Sequence, residues 1–124
     1  MIAGMKRFVF ALDLKDDPEL IAQYENYHRK IWPEITQSIH QAGITNMEIY
    51  RTGNRLFMIM ETMDNFSLEK KARMDQSNEM VQKWETLMWQ FQQPLPWAGP
   101  GEKWIAMKEI FKLESMTASE GPSL

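Results

Sequence analysis

The stretch TNMEIYRTGNRLFMIME, residues 45–61, is the part of the sequence that most clearly indicates the fold. Two runs rich in apolar, β-branched and aromatic residues, 45–51 and 55–61, flank the short segment 52–54, which contains Gly53. Runs of this kind, joined by a few residues that include glycine, are typical of a β-hairpin. The sequence therefore predicts two adjacent antiparallel strands in the middle of the chain.

Two further strands are predicted on either side of this hairpin. In residues 5–14, large apolar side chains occupy alternate positions, as in a strand with one buried face. They are Phe8, Phe10, Leu12 and Leu14. Residues 104–113 are expected to form the last strand, and the tail 115–124, which is rich in small and polar residues, is expected to be disordered.

Helical periodicity connects the first strand to the hairpin. Residues 15–19 combine a capping aspartate, Pro18 at the first helical position and an acidic first turn. Apolar residues then recur at spacings of three and four, which places them on one face. They are Leu20, Tyr24, Tyr27, His28, Ile31, Ile35 and Ile39. Pro33 lacks a backbone donor and crowds the carbonyl group of Arg29, so we expect a kink or restart there, and an end at Gly43.

Two more helices are predicted between the hairpin and the last strand, over residues 67–75 and 78–92. Proline and glycine residues rule out regular structure between residues 93 and 101. The resulting order, strand, helix, strand, strand, helix, strand, is that of the ferredoxin-like α+β fold. We expect one domain over residues 5–114, with helices on one face of the sheet and a second subunit of a homodimer covering the other.

The composition excludes several classes of function. The 124 residues include 14 Lys and Arg against 17 Asp and Glu, so there is no basic excess for binding nucleic acid. There is no cysteine, which excludes disulfides and thiolate sites. No apolar run approaches the ~18 residues of a membrane span, and the first five residues are too short for a signal peptide. These features fit a cytoplasmic protein without a nucleic-acid or membrane partner.

The sequence also contains no motif for binding a metal ion or a nucleotide cofactor. Two histidines and scattered carboxylates provide no metal-ligand spacing, and the glycine-rich loops that bind nucleotide phosphates are missing. The adjacent pair Asp16 and Asp17 is better explained as a helix start than as paired catalytic carboxylates. We therefore expect no metal site.

His28 is the strongest candidate for chemistry. On a helix, Tyr24 and Trp32 lie four residues to either side of it, so an imidazole shares a face with a phenol and an indole. Imidazole gives or accepts a proton near neutral pH. The alternative interpretation is a core or interface histidine with one hydrogen bond. The other histidine, His40, is expected to be a solvated surface residue.

Trp84 is the second candidate, among the tryptophans of the last third of the chain. These are Trp84, Trp89, Trp97 and Trp104. Their ordinary role at helical spacing is core packing. A pocket lined by aromatic residues is, however, also what a small-molecule site looks like, and indole stacks on the apolar face of a sugar. Trp84 is favoured because residues 82–85 place hydrogen-bonding groups beside it.

The same residues resemble a known family. The pattern is Tyr24-x-x-x-His28-x-x-Ile31-Trp32-Pro33-Glu34, then Gly43-x-x-Asn46-x-x-Ile49-Tyr50, then Gln82-Lys83-Trp84. It resembles the L-rhamnose mutarotase family over residues 6–113. The resemblance implies a dimeric α+β barrel of ferredoxin-like subunits that interconverts the α and β anomers of a 6-deoxyhexose without a cofactor. It also implies His28 as proton donor, Tyr24 as a substrate-binding phenol and Trp84 as a stacking or pocket residue.

Two positions depart from the family pattern. Met47 stands where the L-rhamnose enzymes have a substrate-contacting tyrosine, and Glu85 stands where they have a second consecutive tryptophan. Because unpaired buried polar groups discriminate strongly between epimers, these changes leave the sugar open between L-rhamnose and L-fucose.

Two alternatives from other classes remain at this point. A cofactor-free monooxygenase-like enzyme on the same dimeric barrel follows from fold analogy alone, and it would consume oxygen with an aromatic substrate. A non-catalytic small-molecule-binding dimer would use Tyr24, His28 and Trp84 only for packing. Anomer exchange that depends on His28 would separate the mutarotase interpretation from both alternatives.

Overall fold

The fold is described by a computed structural model that covers residues 5–116. Its elements in chain order are β1 (Lys6–Leu14), α1 (Pro18–Arg29), α2 (Pro33–Gln41), β2 (Ile44–Thr52), β3 (Arg55–Thr62), α3 (Leu68–Gln76), α4 (Glu79–Trp89), β4 (Gln92–Gln93), β5 (Ile105–Ala106) and a 3-10 helix at Leu113–Met116. Over these described residues, none of the helices has the length and apolar character that crossing a membrane requires.

The sheet is antiparallel and has the strand order β2-β3-β1-β4. The predicted hairpin is confirmed, because β2 and β3 pair up to Thr52 opposite Arg55, with Gly53 in the left-handed conformation at φ 56°. Strand β1 lies beside β3, from Lys6 opposite Thr62 to Asp13 opposite Arg55. This arrangement confirms the ferredoxin-like α+β fold.

The helix boundaries follow the local signals in the sequence. Asp17 caps α1 by accepting hydrogen bonds from the amides of Glu19 and Leu20 at 2.9 and 3.2 Å. The break expected at Pro33 is confirmed, since α1 ends and α2 begins on either side of it. Gly43 follows α2 with φ 95°, a conformation that glycine adopts without steric cost.

The predicted last strand is wrong in its length. Only Ile105–Ala106 pairs with β1, and after the amide of Met107 donates to the carbonyl of Val9 at 2.7 Å the chain leaves the sheet. Two short strands, β5 and β4, thus occupy the position beside β1 that was expected for one fourth strand. Strand β4 pairs with the C-terminal end of β1. Within the described part of the chain, large apolar side chains beyond this point are exposed, and Ile110 is 89% exposed.

The predicted tail starts within the 3-10 helix. Residues 115 and 116 are the last two of that helix, and residues 117–124 lie outside the described part of the chain. Its expected disorder therefore stays a prediction.

The core lies between the helices and the face of the sheet that carries the even-numbered residues of β1. Leu12 and Leu14 are fully buried there, and Leu56 of β3 packs in the same layer as Leu14. Tyr24 and Trp84 belong to the same cluster, so the two aromatic candidates lie in or next to the core. The opposite sheet face carries half-buried apolar residues, including Val9 and Ile59, which are direct cross-strand partners.

Candidate active site

His28 lies in the last turn of α1, where it contacts aromatic rings from two helices. Its ring centroid is 4.4 Å from that of Tyr24 and 5.6 Å from that of Trp84 on α4. Trp32 does not share the helix, because α1 ends before it, but its ring also packs on Trp84, at 5.1 Å. The structure thus brings together all three residues that the sequence singles out, namely Tyr24, His28 and Trp84.

The hydrogen bonding of His28 determines which ring nitrogen carries its hydrogen. Nδ1 lies 2.8 Å from the backbone carbonyl oxygen of Tyr24. Because a carbonyl oxygen only accepts, Nδ1 must be the donor, and the neutral ring then has an unprotonated Nε2. This nitrogen is the one left to exchange a proton with a ligand.

Burial favours the neutral form of His28. Desolvation lowers the pKa of His28 below its ordinary 6.5, and the hydrogen bond to the carbonyl of Tyr24 offsets only part of this effect. At pH 7 the imidazole is therefore mainly uncharged and able to accept a proton at Nε2.

Tyr24 is fixed in the protonated state. Its side chain is buried, and its hydroxyl oxygen accepts a hydrogen bond from Nε2 of Gln92 at 3.4 Å. Burial raises the pKa of Tyr24 to about 12, against a smaller lowering by Gln92. Because Gln92 is the donor in this bond, the phenol hydrogen remains for donation to another acceptor.

These residues line a cavity of about 330 Å³, within the size range of small-molecule sites. Its sheet side is apolar and consists of Phe10, Met47, Ile49, Met58 and Met60. Polar side chains enter from the helices and from the segments after α4; they are Tyr24, His28, Ser38, Lys71, Asp75, Glu85, Gln92 and Lys103. A mostly apolar wall with a few polar groups suits a small ligand that has both hydroxyl groups and an apolar face.

The cavity also distinguishes between the remaining candidates. Trp84 lines it, whereas Trp89 and Trp97 do not. His40 is exposed and lies outside it, as expected. Met47 and Glu85, the two departures from the family pattern, both lie in its wall.

Several lining residues were not found from the sequence. Gln92, Trp104, Lys71 and Asp75 are brought to the cavity by tertiary contacts. A local signal did exist for two of them, because Leu68, Lys71 and Asp75 have the i, i+3, i+7 spacing of one helix face.

Among residues 5–116, no three His, Asp or Glu side chains are grouped closely enough to hold a metal ion.

The chain is similar to known proteins over most of its length. The family model for L-rhamnose mutarotase matches residues 7–113. An L-fucose mutarotase of Xanthomonas campestris pv. campestris is 45% identical, over 95% of this chain and 97% of that protein. An L-rhamnose mutarotase of Phocaeicola vulgatus is 30% identical, over 89% of this chain and 100% of that protein. The crystal structure of an L-rhamnose mutarotase from Formosa agariphila has a similar fold, with a TM-score of 0.64 and 24% identity, over 86% of this chain and 97% of that one.

Proposed function

The chain belongs to the L-rhamnose mutarotase family, and we propose that it interconverts the α and β anomers of a 6-deoxyhexose by proton transfer through His28. Mutarotases are carbohydrate isomerases, and relatives named for L-fucose and for L-rhamnose both align with nearly the whole chain. The observation that carries the proposal is the position of His28 in the wall of a cavity of about 330 Å³, with Nδ1 bonded to the carbonyl of Tyr24 so that Nε2 is the nitrogen left for a ligand.

Anomer exchange requires one proton to move between two oxygens on the same carbon. Ring opening removes the proton from the anomeric hydroxyl O1, forms the C1=O1 double bond, breaks the C1–O5 bond and adds a proton to O5. Because O1 and O5 are both bonded to C1, one nitrogen can serve both. Nε2 of His28 accepts the proton from O1 and then acts as the proton donor to O5. Rotation about C1–C2 and reversal of these steps give the other anomer.

Tyr24 and Trp84 support this transfer in different ways. The phenol of Tyr24, held by Gln92 and protonated, donates a hydrogen bond to an oxygen that gains negative charge when the ring opens. The indole of Trp84 packs against the apolar face of the sugar and holds the imidazole of His28 from the side. The reaction involves no net oxidation, so these residues are sufficient for it.

L-fucose is the substrate that we propose first. The relative at 45% identity is named for L-fucose, and Met47 and Glu85 replace an expected phenol and an expected indole in the cavity wall. A methionine cannot pair a hydroxyl group as a phenol does, whereas a carboxylate accepts hydrogen bonds that an indole cannot. The hydroxyl configuration that the site accepts should therefore differ from that of the L-rhamnose enzymes.

The direct test is anomer exchange on a panel of sugars, measured by saturation transfer between the α and β anomeric protons. We expect exchange of L-fucose and L-rhamnose to be faster with the protein than in buffer, with L-fucose the faster of the two. D-glucose belongs to the opposite configurational series and carries a 6-hydroxyl group. It serves as the control, and its exchange rate should stay near the rate in buffer. If no sugar exchanges faster with the protein than without it, the proposed function is wrong. Oxygen uptake should be absent throughout.

The pH dependence tests the protonation state of His28. The reactive form is neutral, and burial lowers the pKa of His28 below 6.5, so the neutral form dominates above pH 6.5. The catalysed part of the exchange rate should be level from about pH 6.5 upward and should decrease as acidification protonates the ring. Rates are measured with and without protein at each pH, and the difference is analysed. A rate that instead rises on acidification would indicate a resting imidazolium donor.

We also propose a homodimer as the functional form. The sheet face away from the helices carries apolar side chains that the described chain leaves uncovered, with Val9 and Ile59 half-buried and Tyr50 55% exposed. Ile110 and Phe111, after β5, add exposed apolar surface. A second copy packed on this sheet face would bury its apolar side chains.

A further inference from the structure

Helix α3 carries two ion pairs at the same spacing but in different environments. Glu69 and Arg73 are 2.9 Å apart, and both side chains are more than half exposed. Lys71 and Asp75 are 2.5 Å apart, and their side chains are only 24% and 15% exposed. The Lys71–Asp75 pair lies in the wall of the cavity, whereas neither Glu69 nor Arg73 lines it.

Helix stability does not account for the position of the Lys71–Asp75 pair. An acidic residue four positions before a basic one is the favourable order on a helix, and Glu69–Arg73 has it, whereas Lys71–Asp75 has the reverse. Removing charged groups from water also costs free energy that mutual attraction repays only with good geometry and further hydrogen bonds. No residue of α3 is fully buried, so apolar packing does not force the pair inward either.

The pair retains unused hydrogen-bonding capacity toward a ligand. An ammonium group donates up to three hydrogen bonds, and a carboxylate accepts about four. One Lys71–Asp75 bond uses one of each. Two neighbouring hydroxyl groups of a sugar match the remaining donors and acceptor positions, because one can donate to the carboxylate while the other accepts from the ammonium group.

We propose that Lys71 and Asp75 bind ring hydroxyl groups of the sugar as a donor–acceptor pair and determine which sugar the site selects. This inference rests on the proposed function. His28 acts at C1 and O5, which L-rhamnose and L-fucose share. The two sugars differ in configuration at C2 and C4, so selection between them requires contacts to those hydroxyl groups, from residues other than His28. Lys71 and Asp75 approach the cavity from α3, which provides none of the aromatic residues around His28.

The test compares two matched sets of variants on one helix. Asp75→Asn and Lys71→Gln remove one charge each and keep a polar side chain, while Glu69→Gln and Arg73→Gln do the same to the exposed pair. Sugar affinity is measured by NMR titration with L-fucose and L-rhamnose, and the exchange rate by saturation transfer. Thermal unfolding of every variant shows that it is folded.

Hydrogen bonds to charged groups support a definite expectation for the cavity pair. Asp75→Asn and Lys71→Gln should weaken affinity for the better sugar about 10- to 100-fold, with the turnover rate at saturation within about threefold of the wild type. Glu69→Gln and Arg73→Gln should stay within about twofold in both quantities. The ratio of affinities for L-fucose and L-rhamnose should change only in the cavity variants.

Monodeoxy sugars identify the hydroxyl group that is bound. With the 2-, 3- and 4-deoxy derivatives of the better sugar, the loss caused by Asp75→Asn should disappear for the derivative that lacks the hydroxyl group which Asp75 binds. If the ion pair had only a structural role, the effect of Asp75→Asn would not depend on which hydroxyl group the sugar lacks.

The outcomes separate this inference from the proposed function. If the wild-type protein accelerates exchange but folded Asp75→Asn and Lys71→Gln bind both sugars as the wild type does, the inference is wrong and the proposed function stands. If the wild type binds a sugar without accelerating its exchange, the proposed function fails, and the affinities of the variants still decide the inference.

Discussion

Replacement of His28 by alanine should lower kcat/KM for anomer exchange by about 10²- to 10⁴-fold, the range typical of a lost general acid–base. The reason is that Nε2 of His28 is the ring nitrogen left free by the bond between Nδ1 and the carbonyl of Tyr24. Removing the imidazole leaves the phenol of Tyr24, whose pKa of about 12 makes it a poor substitute for moving a proton at pH 7. Saturation transfer on L-fucose and L-rhamnose measures the loss.

His40→Ala is the matched control, because His40 is exposed and lies outside the cavity. Its exchange rate should remain within about twofold of the wild type. Alanine at position 28 also leaves space for a small molecule, so added imidazole should restore part of the lost rate. A folded His28→Ala variant with wild-type exchange would refute the proton transfer proposed for His28.

Replacement of Trp84 by alanine should reduce the free energy of unfolding by about 3–5 kcal/mol. Trp84 is 9% exposed, and the rings of Tyr27, His28 and Trp32 pack on it at centroid distances of 5.1–6.3 Å. Such a loss is a large part of the roughly 5–15 kcal/mol that stabilises a typical domain. Thermal and urea unfolding of the two proteins would measure it. Exchange should also slow, because the imidazole loses the surface against which it packs.

Trp97→Ala provides the comparison for this prediction. Trp97 is 64% exposed, and the guanidinium group of Arg55 lies over its ring, 5.1 Å from the centroid. Replacement of Trp97 by alanine should reduce the free energy of unfolding by about 1 kcal/mol or less. Trp84→Phe, which keeps an aromatic ring, should fall between the two alanine variants in stability. A Trp84→Ala protein as stable as Trp97→Ala would mean that the aromatic cluster does not support the core.

The elements that could be predicted from the sequence are those with local causes. The hairpin follows from two apolar runs around Gly53, the start of α1 from the capping carboxylate of Asp17, and the break between α1 and α2 from Pro33. Each of these signals acts within a few residues, through backbone conformation or a nearby hydrogen bond. The predicted length of the last strand was wrong. Of residues 104–113, only 105 and 106 pair with β1, although β1 continues to Lys6, so apolar content alone does not determine how far a strand follows its partner.

The residues of the candidate site also fall into two groups, those whose proximity local spacing predicts and those that tertiary packing brings in. Tyr24 and His28 could be paired from the sequence, because one helical turn separates them and the resulting contact is local. The arrival of Trp84 beside them, and of Gln92 on the phenol, could not be derived from spacing. The same holds for Lys71 and Asp75, which α3 brings to the cavity.

Residue order and type along the chain therefore account for the ferredoxin-like order of elements and for the choice of His28 as the candidate for proton transfer. The lowered pKa of His28 and the set of polar groups that line the cavity were decided only by the tertiary structure. The physical reason is that helix caps, turns and amphipathic spacing act over a few residues. Desolvation and cavity shape instead depend on which distant segments pack together, and here these come from α1, α3, α4 and the residues that follow α4.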